Sequence, residues 1–256
     1  MRFAVLGSGS QGNALVVEGG RTRLLLDCGF SVSETVRRLQ RLGLSAEDLT
    51  AVLVTHEHDD HIGGVARLAR KFRLPVWLTP GTLRGLSPLF EGVEHVHMIE
   101  GYTSFCIGEL EIAPFPVPHD AREPAQYVFS DGVRKLGVLT DIGCSTILVT
   151  RMLSGCDAIV LECNHCPELL STSEYPLSLK QRIAGRYGHL DNPAAAALLA
   201  SLDQRKLKHV IAAHLSENNN RPLLAQMALA SALGCNAQWV GVADQSTGLG
   251  WRDLTG

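Results

Sequence analysis

Short apolar runs alternate with amphipathic segments along this chain of 256 residues. Residues 33–44 and 65–72 repeat apolar side chains every three to four positions, the spacing that gives a helix one buried face. Residues 51–55 (AVLVT) and 74–78 (LPVWL) are short, continuous apolar runs, typical of strands with both faces buried. The pattern therefore predicts strands and helices in alternation.

The alternation continues in the second half of the chain. Strands are predicted within residues 104–117 and 126–140. Asp191 and Pro193 are typical residues at the start of a helix. We expect one α/β domain spanning residues 1–256, with sheets inside and helices outside. The remaining predicted elements are a helix at 145–153, a strand at 157–163, helices at 176–188 and 192–202, and a strand at 208–214.

The glycines near the start of the chain suggest a nucleotide site at first sight. Residues 7–12 (GSGSQG) follow an apolar run and fit the G-x-G-x-x-G pattern, and Asp27 offers an acid further on. In that pattern the third glycine must begin a helix whose amide end holds a pyrophosphate. Here residues 14–18 and 23–26 form two short apolar runs around a Gly-Gly turn, which predicts a β-hairpin. A nicotinamide site is therefore disfavoured.

The overall charge does not indicate a polyanionic partner. The formal net charge is −3, and 45% of the residues are hydrophobic, which allows a substantial core. Three local groups of basic residues stand out, and we expect the first two to lie on solvated helix faces. The groups are Arg37, Arg38 and Arg41; Arg67, Arg70, Lys71 and Arg73; and Lys180, Arg182 and Arg186.

The chain contains seven cysteines at scattered positions. An odd, unevenly spaced set is typical of a reducing compartment rather than of a disulfide scaffold. No apolar run reaches the roughly 18 residues of a membrane span, and the run at residues 3–6 is too short for a signal segment. The sequence predicts a cytoplasmic protein that does not enter a membrane.

The candidate chemistry is concentrated in the stretch VTHEHDDHIGG, which overlaps the end of the predicted strand 51–55. Imidazole and carboxylate are the ligands of zinc, manganese and iron sites. The stretch carries them in the order H-x-H-x-D-H, as His56, His58, Asp60 and His61. One loop cannot complete two metal sites, so further ligands are expected at other strand ends. The polar residues that end apolar runs there are His119, Asp141 and His214.

These motifs resemble those of the metallo-β-lactamase-fold hydrolases, and the resemblance extends over essentially the whole chain. It implies a four-layer αβ/βα sandwich. It also implies two divalent metal ions, zinc, manganese or iron, as cofactors. The implied ligands are His56, His58 and His119 for one ion, Asp60, His61 and His214 for the other, and Asp141 as the bridge between them.

Several further segments, among them GSGSQGNA, LLLDCGFS, LECNHC and GHLDNPAAA, are similar to the YycJ/WalJ-like branch of these hydrolases. That branch implies exonuclease activity on duplex DNA in the 5′-to-3′ direction, and its layout is similar to that of the tRNA 3′-processing endonucleases. The expected function is therefore a dinuclear-metal-dependent phosphodiesterase with nucleic acid, in particular DNA, as its partner. No motif indicates a protein partner.

Further residues are expected to act beside the metal ions, and among them the role of His189 follows from the resemblance. His189 is expected to contact the scissile phosphate and assist the leaving group, with Glu162 as its orienting partner. A purely structural buried carboxylate is an equal alternative for Glu162. Asp60 is expected to orient the nucleophilic hydroxide as well as to bind metal. Four loop residues are expected to donate hydrogen bonds to phosphate oxygens, with ordinary turn formation as the alternative: Ser8, Ser10, Asn13 and Asn218.

Two other functions fit the same metal ligands. A hydrolase of a small ester, thioester or lactam would use the same ions, although a secreted β-lactamase would carry a signal segment. A non-catalytic, metal-holding binding protein is the alternative of another class. It is disfavoured because all seven ligands and His189 are present. Turnover of a phosphodiester discriminates among the three functions.

Overall fold

A computed structural model of the chain describes residues 1–84, 86–100 and 102–255. The first six strands are β1 (Arg2–Gly7), β2 (Ala14–Gly19), β3 (Thr22–Leu26), β4 (Ala51–Leu53), β5 (Val76–Leu78) and β6 (Val96–Met98). The later strands are β7 (Phe105–Ile107), β8 (Leu110–Pro116), β9 (Ala125–Ser130), β10 (Lys135–Leu139), β11 (Ala158–Glu162), β12 (His209–Ala213), β13 (Gly241–Val242) and β14 (Leu249–Asp253). In the described residues they form two seven-stranded sheets, ordered β14-β1-β2-β3-β4-β5-β6 and β13-β12-β11-β10-β9-β8-β7.

Helices connect many of these strands. Three short 3-10 turns, at Ala46–Asp48, Ser87–Phe90 and Ala237–Trp239, complete the regular structure of the described residues. Within these same parts of the chain, no helix has the length and apolar character needed to span a bilayer. The α-helices are α1 (Val32–Arg41), α2 (Asp59–Ile62), α3 (Val65–Phe72), α4 (Pro80–Leu83), α5 (Ile147–Leu153), α6 (Pro167–Thr172), α7 (Leu177–Ile183), α8 (Asn192–Ala200) and α9 (Pro222–Leu233).

Three apolar clusters divide the molecule into four layers. The central cluster lies between the two sheets, and the other two lie between each sheet and its helices. Strand β11 shows why such strands have continuous apolar sequences. Its Ala158 and Val160 belong to the central cluster, whereas Ile159 and Leu161 pack toward the helices. The αβ/βα sandwich expected from the sequence is confirmed.

The predicted hairpin at the start of the chain is also confirmed. Strands β2 and β3 pair antiparallel, with Gly19 opposite Thr22 at the turn. Strand β2 begins at Ala14, so the glycine loop is followed directly by a strand and not by a helix. Gly12 has φ of +153°, and a side chain there would collide with the Phe30 ring. The glycines serve a close-packed loop and not a pyrophosphate-binding helix.

Parallel strands bring histidine and carboxylate side chains to one edge of each sheet. Strands β3, β4 and β5 run parallel in one sheet, and β10, β11 and β12 run parallel in the other. The carboxyl ends of parallel strands meet at one edge, where sites commonly form. At these ends lie Asp27 after β3, His56 after β4, Asp141 after β10, Glu162 at the end of β11 and His214 after β12.

Arg38 was expected to lie on a solvated helix face, but the structure buries it. Its side chain is buried, and its Nη1 atom donates to the carbonyl oxygens of Leu6 (2.7 Å) and Gln245 (2.9 Å). The guanidinium also lies 4.0 Å from the centroid of the Phe30 ring. One of these carbonyls is 207 positions away in the sequence. Packing between distant segments therefore buries a charge that the pattern of α1 places at the surface.

Candidate metal centre

The H-x-H-x-D-H motif includes a single helical turn, where the sequence predicted a tight loop. His58 is the N-cap of α2, and Asp60 and His61 lie within that helix. His61 is fully buried, whereas Asp60 is partly exposed. Consecutive side chains on a helix point about 100° apart, so one turn can direct the motif's side chains toward separate points.

The structure brings the predicted metal ligands together. His119 Nε2 lies 3.3 Å from His58 Nδ1, although 61 positions separate the two residues. His214 Nε2 lies 3.5 Å from Asp60 Oδ2. Two groups, each with donor atoms within 4.8 Å of one another, are His56, His58 and His119, and Asp60, His61 and His214.

Asp141 lies between these two groups. Its Oδ2 atom is 3.0 Å from His61 Nε2, and its Oδ1 atom is 3.6 Å from His214 Nε2 and 3.8 Å from His119 Nε2. The backbone of Asp141 has φ of +53°, and that of His214 has φ of +55°. Left-handed backbone at non-glycine residues is unfavourable and occurs often at functional sites. A carboxylate that faces both groups suits a bridging ligand.

Two buried atoms of the centre form no well-directed hydrogen bond in the described residues: His56 Nε2, and Asp141 Oδ2 despite its distance of 3.0 Å from His61 Nε2. Buried polar atoms are nearly always paired, so both atoms need a partner. Burial and the nearby His61 lower the pKa of His56 well below its usual value, which leaves the ring neutral with a lone pair. Donor atoms of both residues lie within 4.8 Å of one another. A lone pair and a carboxylate oxygen in this arrangement fit a metal cation.

The electrostatics of the centre favour positive charge. Burial by itself lowers the pKa of His214, but Asp141 and two further carboxylates outweigh burial and raise the pKa to about 10. Burial also opposes protonation of His61, yet Asp141 and Asp27 raise its pKa well above the usual value. Carboxylates that hold protons on buried imidazoles this firmly also attract metal cations.

Asp27 is a residue of the centre that sequence reasoning connected only with the disfavoured nucleotide pattern. His61 Nδ1 donates to its Oδ2 at 2.8 Å, and the backbone and hydroxyl of Thr55 donate to its two oxygens, also at 2.8 Å. Because Asp27 keeps the proton on Nδ1, the Nε2 atom of His61 is directed toward Asp60 and Asp141. The available signal was an acid that directly ends the apolar run LLLD.

We expect Asp27→Asn to weaken metal binding roughly 10- to 100-fold, the usual effect of losing a partner that orients a metal-binding histidine. Asparagine has the same size and tolerates the left-handed backbone of Asp27 (φ +59°), so the fold should persist. Competition with a chromophoric chelator measures the dissociation constant. As a control, Asp48→Asn changes an exposed carboxylate and should leave metal affinity unaltered. Wild-type affinity in Asp27→Asn would contradict the orienting role.

Glu162 connects two histidines of the centre. Its Oε1 atom accepts hydrogen bonds from His189 Nδ1 (2.9 Å) and His214 Nδ1 (3.0 Å). Its Oε2 atom accepts from the backbone N–H groups of Ile142 and Leu190, both at 3.0 Å. Burial opposes ionisation, but His189 and the hydrogen bonds outweigh burial and lower the pKa to about 2. Glu162 is thus a fully buried carboxylate that is hydrogen-bonded to His189, the contact that the proposed orienting role requires.

The centre opens into a cleft of about 420 Å³. His189 lines this cleft together with several candidate metal ligands, Ser10 and part of α7. The side chain of His189 is 22% exposed. Because Glu162 accepts the hydrogen bond of Nδ1, the Nε2 atom of His189 is the ring nitrogen left for a substrate.

Ser8 and Asn13 differ from the expectation that they contact substrate. The Ser8 hydroxyl donates to Asn13 Oδ1 at 3.0 Å and accepts from the His214 N–H at 2.9 Å. The Asn13 amide donates to Asp60 Oδ2 at 3.2 Å. Both side chains are buried and hold the loop against candidate metal ligands. Among the described residues of this loop, Ser10 is the one that lines the cleft.

Asn218 also lies outside the cleft lining. Its side chain is exposed, and its amide donates to the Tyr175 hydroxyl at 2.9 Å. The turn around it is closed by Ser216, whose hydroxyl and carbonyl oxygens accept from the N–H groups of Asn219 and Asn220. These contacts are those of an ordinary turn, the alternative given for Asn218.

A match to a known protein family identifies the class of protein to which the chain belongs. Residues 22–214 match the family described as Beta-lactamase superfamily domain. The chain therefore belongs to the beta-lactamase superfamily, and it is a metal-dependent hydrolase with the metallo-β-lactamase fold. The candidate centre supplies the His/Asp clusters with which such a fold binds divalent metal ions.

Two sequence relatives and one solved structure show which members of this superfamily the chain is similar to. Exodeoxyribonuclease YycJ of Bacillus anthracis is 37% identical over 237 residues, which cover 91% of this chain and 89% of that protein. Exodeoxyribonuclease WalJ of Streptococcus pneumoniae serotype 2 is 34% identical over 246 residues, with coverages of 94% and 91%. The crystal structure of the metallo-beta-lactamase fold protein YhfI from Bacillus subtilis has a TM-score of 0.77 at 15% identity and covers 98% of both chains. The two sequence relatives confirm the resemblance to the YycJ/WalJ-like branch.

Proposed function

We propose that the chain is a dinuclear-metal-dependent nuclease that degrades DNA from the 5′ end. The observation that carries the proposal is the similarity to two exodeoxyribonucleases over 91% and 94% of this chain. The cleft supports it, because a histidine held by a buried carboxylate lies beside the candidate metal ligands. The preference for duplex DNA and the 5′-to-3′ direction rest on the family resemblance.

Two divalent ions, zinc, manganese or iron, are the proposed cofactors. When bound, such ions make water nucleophilic at neutral pH and neutralise the charge of a phosphodiester. With the shared Asp141 included, each ligand group combines imidazole and carboxylate, the ligand types that these metals accept. The proposed ligands are His56, His58 and His119 for one ion, Asp60, His61 and His214 for the other, and Asp141 shared between them.

Asp60 has the proposed additional role of orienting the attacking water. Burial raises the pKa of its carboxyl, but hydrogen bonds with His214 and His61 outweigh burial and lower the pKa below its usual value. The group is therefore ionised and can accept a hydrogen bond from water. Asn13 holds it in place by donating to Oδ2 at 3.2 Å.

His189 is the proposed general acid. Burial lowers its pKa, but the Glu162 carboxylate outweighs burial and raises the pKa above its usual value. Nδ1 donates to Glu162 Oε1 at 2.9 Å, which fixes the ring. The proton on Nε2 can then pass to the sugar oxygen as the bond between phosphorus and that oxygen breaks.

A cytoplasmic location is part of the proposal. All seven cysteines lie in described residues, and all are free thiols. Free thiols in this number suit a reducing compartment.

Digestion of end-labelled nucleic acids tests the proposal. The substrates are single-stranded and duplex DNA and RNA with 5′-phosphate or 5′-hydroxyl ends, and the protein is loaded with Mn²⁺ or Zn²⁺. We expect the 5′ label on duplex DNA to appear as a mononucleotide in the first turnovers, while a 3′ label stays on long fragments. Release of the 3′ label first would contradict the proposed direction, and internal fragments would indicate an endonuclease.

A panel of small substrates separates the alternative functions. Bis-p-nitrophenyl phosphate, nitrocefin and a thioester report on phosphodiester, lactam and thioester hydrolysis. We expect turnover of the phosphodiester. Turnover of nitrocefin or the thioester without the phosphodiester would support a small-ester or lactam hydrolase. Two bound metal ions without any turnover would support a non-catalytic metal-holding protein.

A further inference from the structure

One wall of the cleft is formed by α7, a helix in which no side chain is buried. Leu179, Arg182 and Ile183 of this helix line the cleft. Residues with this spacing share one face of a helix. The wall therefore presents two aliphatic side chains and one cation beside the candidate metal centre.

Arg182 is anchored through one nitrogen of its guanidinium. Nε donates to Asp120 Oδ2 at 2.6 Å, and Asp120 directly follows the candidate ligand His119. The side chain of Arg182 is 62% exposed. Across residues 1–84, 86–100 and 102–255, its terminal nitrogens Nη1 and Nη2 have no hydrogen-bond partner. Asp120 thus fixes the guanidinium at the cleft while two amino groups stay unused.

Carboxylates surround this cation in the cleft. Asp59, Asp60, Asp120 and Asp141 contribute to the lining, and Arg182 is the one arginine or lysine among the described lining residues. Asp60 and Asp141 are candidate metal ligands, whereas Asp59 and Asp120 belong to neither ligand group, and carboxylates that no cation neutralises repel an anionic substrate. Arg182 counteracts this effect because it neutralises Asp120 and retains donors for a phosphate oxygen.

We propose that Arg182 binds the phosphate group of the substrate and selects phosphodiesters over uncharged esters and lactams. The inference rests on the proposed nuclease function and adds a specificity-determining residue to it. The planar donors of a guanidinium match phosphate oxygens, and such charge-assisted hydrogen bonds are stronger than neutral ones. With Nε bound to Asp120, Nη1 and Nη2 are the donors to phosphate.

The test compares Arg182→Gln with Arg186→Gln in the metal-loaded protein, with bis-p-nitrophenyl phosphate as substrate. Arg186 is exposed, lies outside the cleft lining and provides a matched loss of one charge. We expect KM to rise at least roughly 10- to 100-fold in Arg182→Gln, the effect of losing one charge-assisted hydrogen bond or more. KM in Arg186→Gln should stay within about twofold of the wild type. Equal KM values in the two variants would overturn the proposal.

Further measurements distinguish phosphate binding by Arg182 from a purely structural role, in which its hydrogen bond to Asp120 links α7 to the segment of His119. Asp120→Asn weakens the link but keeps the positive charge of Arg182, so its KM increase should be smaller than that of Arg182→Gln. Metal content and Tm of Arg182→Gln should match the wild type. Loss of metal from Arg182→Gln, or an equal or larger KM increase in Asp120→Asn, would make Arg182 structural and overturn the proposal.

Failure of the nuclease proposal is distinguishable from failure of this one. If the wild type hydrolyses bis-p-nitrophenyl phosphate but no nucleic acid, the KM comparison still tests Arg182. If it hydrolyses neither, calorimetric titration with thymidine 5′-monophosphate measures phosphate binding directly. A Kd at least about tenfold higher in Arg182→Gln than in the wild type supports the proposal, and an unchanged Kd overturns it.

Discussion

Asp141→Asn is expected to lose metal and activity together. Asp141 presents Oδ2 at 3.0 Å from His61 Nε2 and Oδ1 at 3.8 Å from His119 Nε2. Asparagine replaces one of these oxygens by an N–H donor, which cannot bind a cation. Losing a residue that only orients a metal ligand lowers metal affinity or activity about 10- to 100-fold. Losing a shared ligand should therefore lower turnover by more than about 100-fold. Elemental analysis and turnover are measured on the same preparation.

The fold should survive this substitution, because asparagine tolerates the left-handed backbone at position 141. Asp203→Asn is the matched control. It removes the carboxylate that pairs with Arg205 at 2.7 Å on the surface, and such exposed pairs contribute little to stability. The control should keep its metal and activity. Full metal content and wild-type turnover in Asp141→Asn would contradict its role as a shared ligand.

Strand ends explain why much of the centre could be predicted from the sequence. A strand with both faces buried appears as an unbroken apolar run, so the polar residue that follows it stands out. Asp141 follows β10 and His214 follows β12, and both take left-handed backbone at that point. The position of these residues in the sequence was enough to select them as candidate ligands. Their division between two ions came from the family resemblance.

The helix predicted at 176–188 shows that the local sequence pattern was insufficient to predict where this helix ends. The observed helix ends at Ile183, whose carbonyl accepts a hydrogen bond from the His189 N–H at 2.9 Å. Gly188 donates to the Gly185 carbonyl at 2.9 Å, and a side chain at Gly188 would collide with the end of the helix. Turns held by these glycines replace the last helical residues and bring His189 to the cleft. Tertiary position overrides helical periodicity here.

Side-chain partners were the least predictable part of the site. Asp27 and His61 are 34 positions apart, and the Ser8 hydroxyl accepts from a backbone group 206 positions away. Periodicity identifies the face of an element on which a residue lies, but it does not identify what packs there. Ser8 and Asn13 thus use their hydrogen-bonding groups within the protein. The composition of a Gly/Ser loop could not predict these partners.

His189→Ala is expected to keep the metal ions and to reduce kcat for DNA roughly 10²- to 10⁴-fold, the usual contribution of a general acid. A sugar oxygen needs a proton as it departs, whereas p-nitrophenolate is stable as an anion. The reduction in kcat should therefore be much smaller for bis-p-nitrophenyl phosphate than for DNA. Turnover of both substrates and metal content are compared with the wild type.

The exposed His95 supplies the control, since His95→Ala removes an imidazole away from the cleft lining and should leave both rates unchanged. The donor atoms of His189 also lie within 4.8 Å of those of Asp141, Glu162 and His214, an arrangement that a metal ligand would share. Metal content therefore decides between the two roles. Metal loss from His189→Ala would make His189 a ligand, and equal reductions in kcat for both substrates would exclude proton donation to the leaving group.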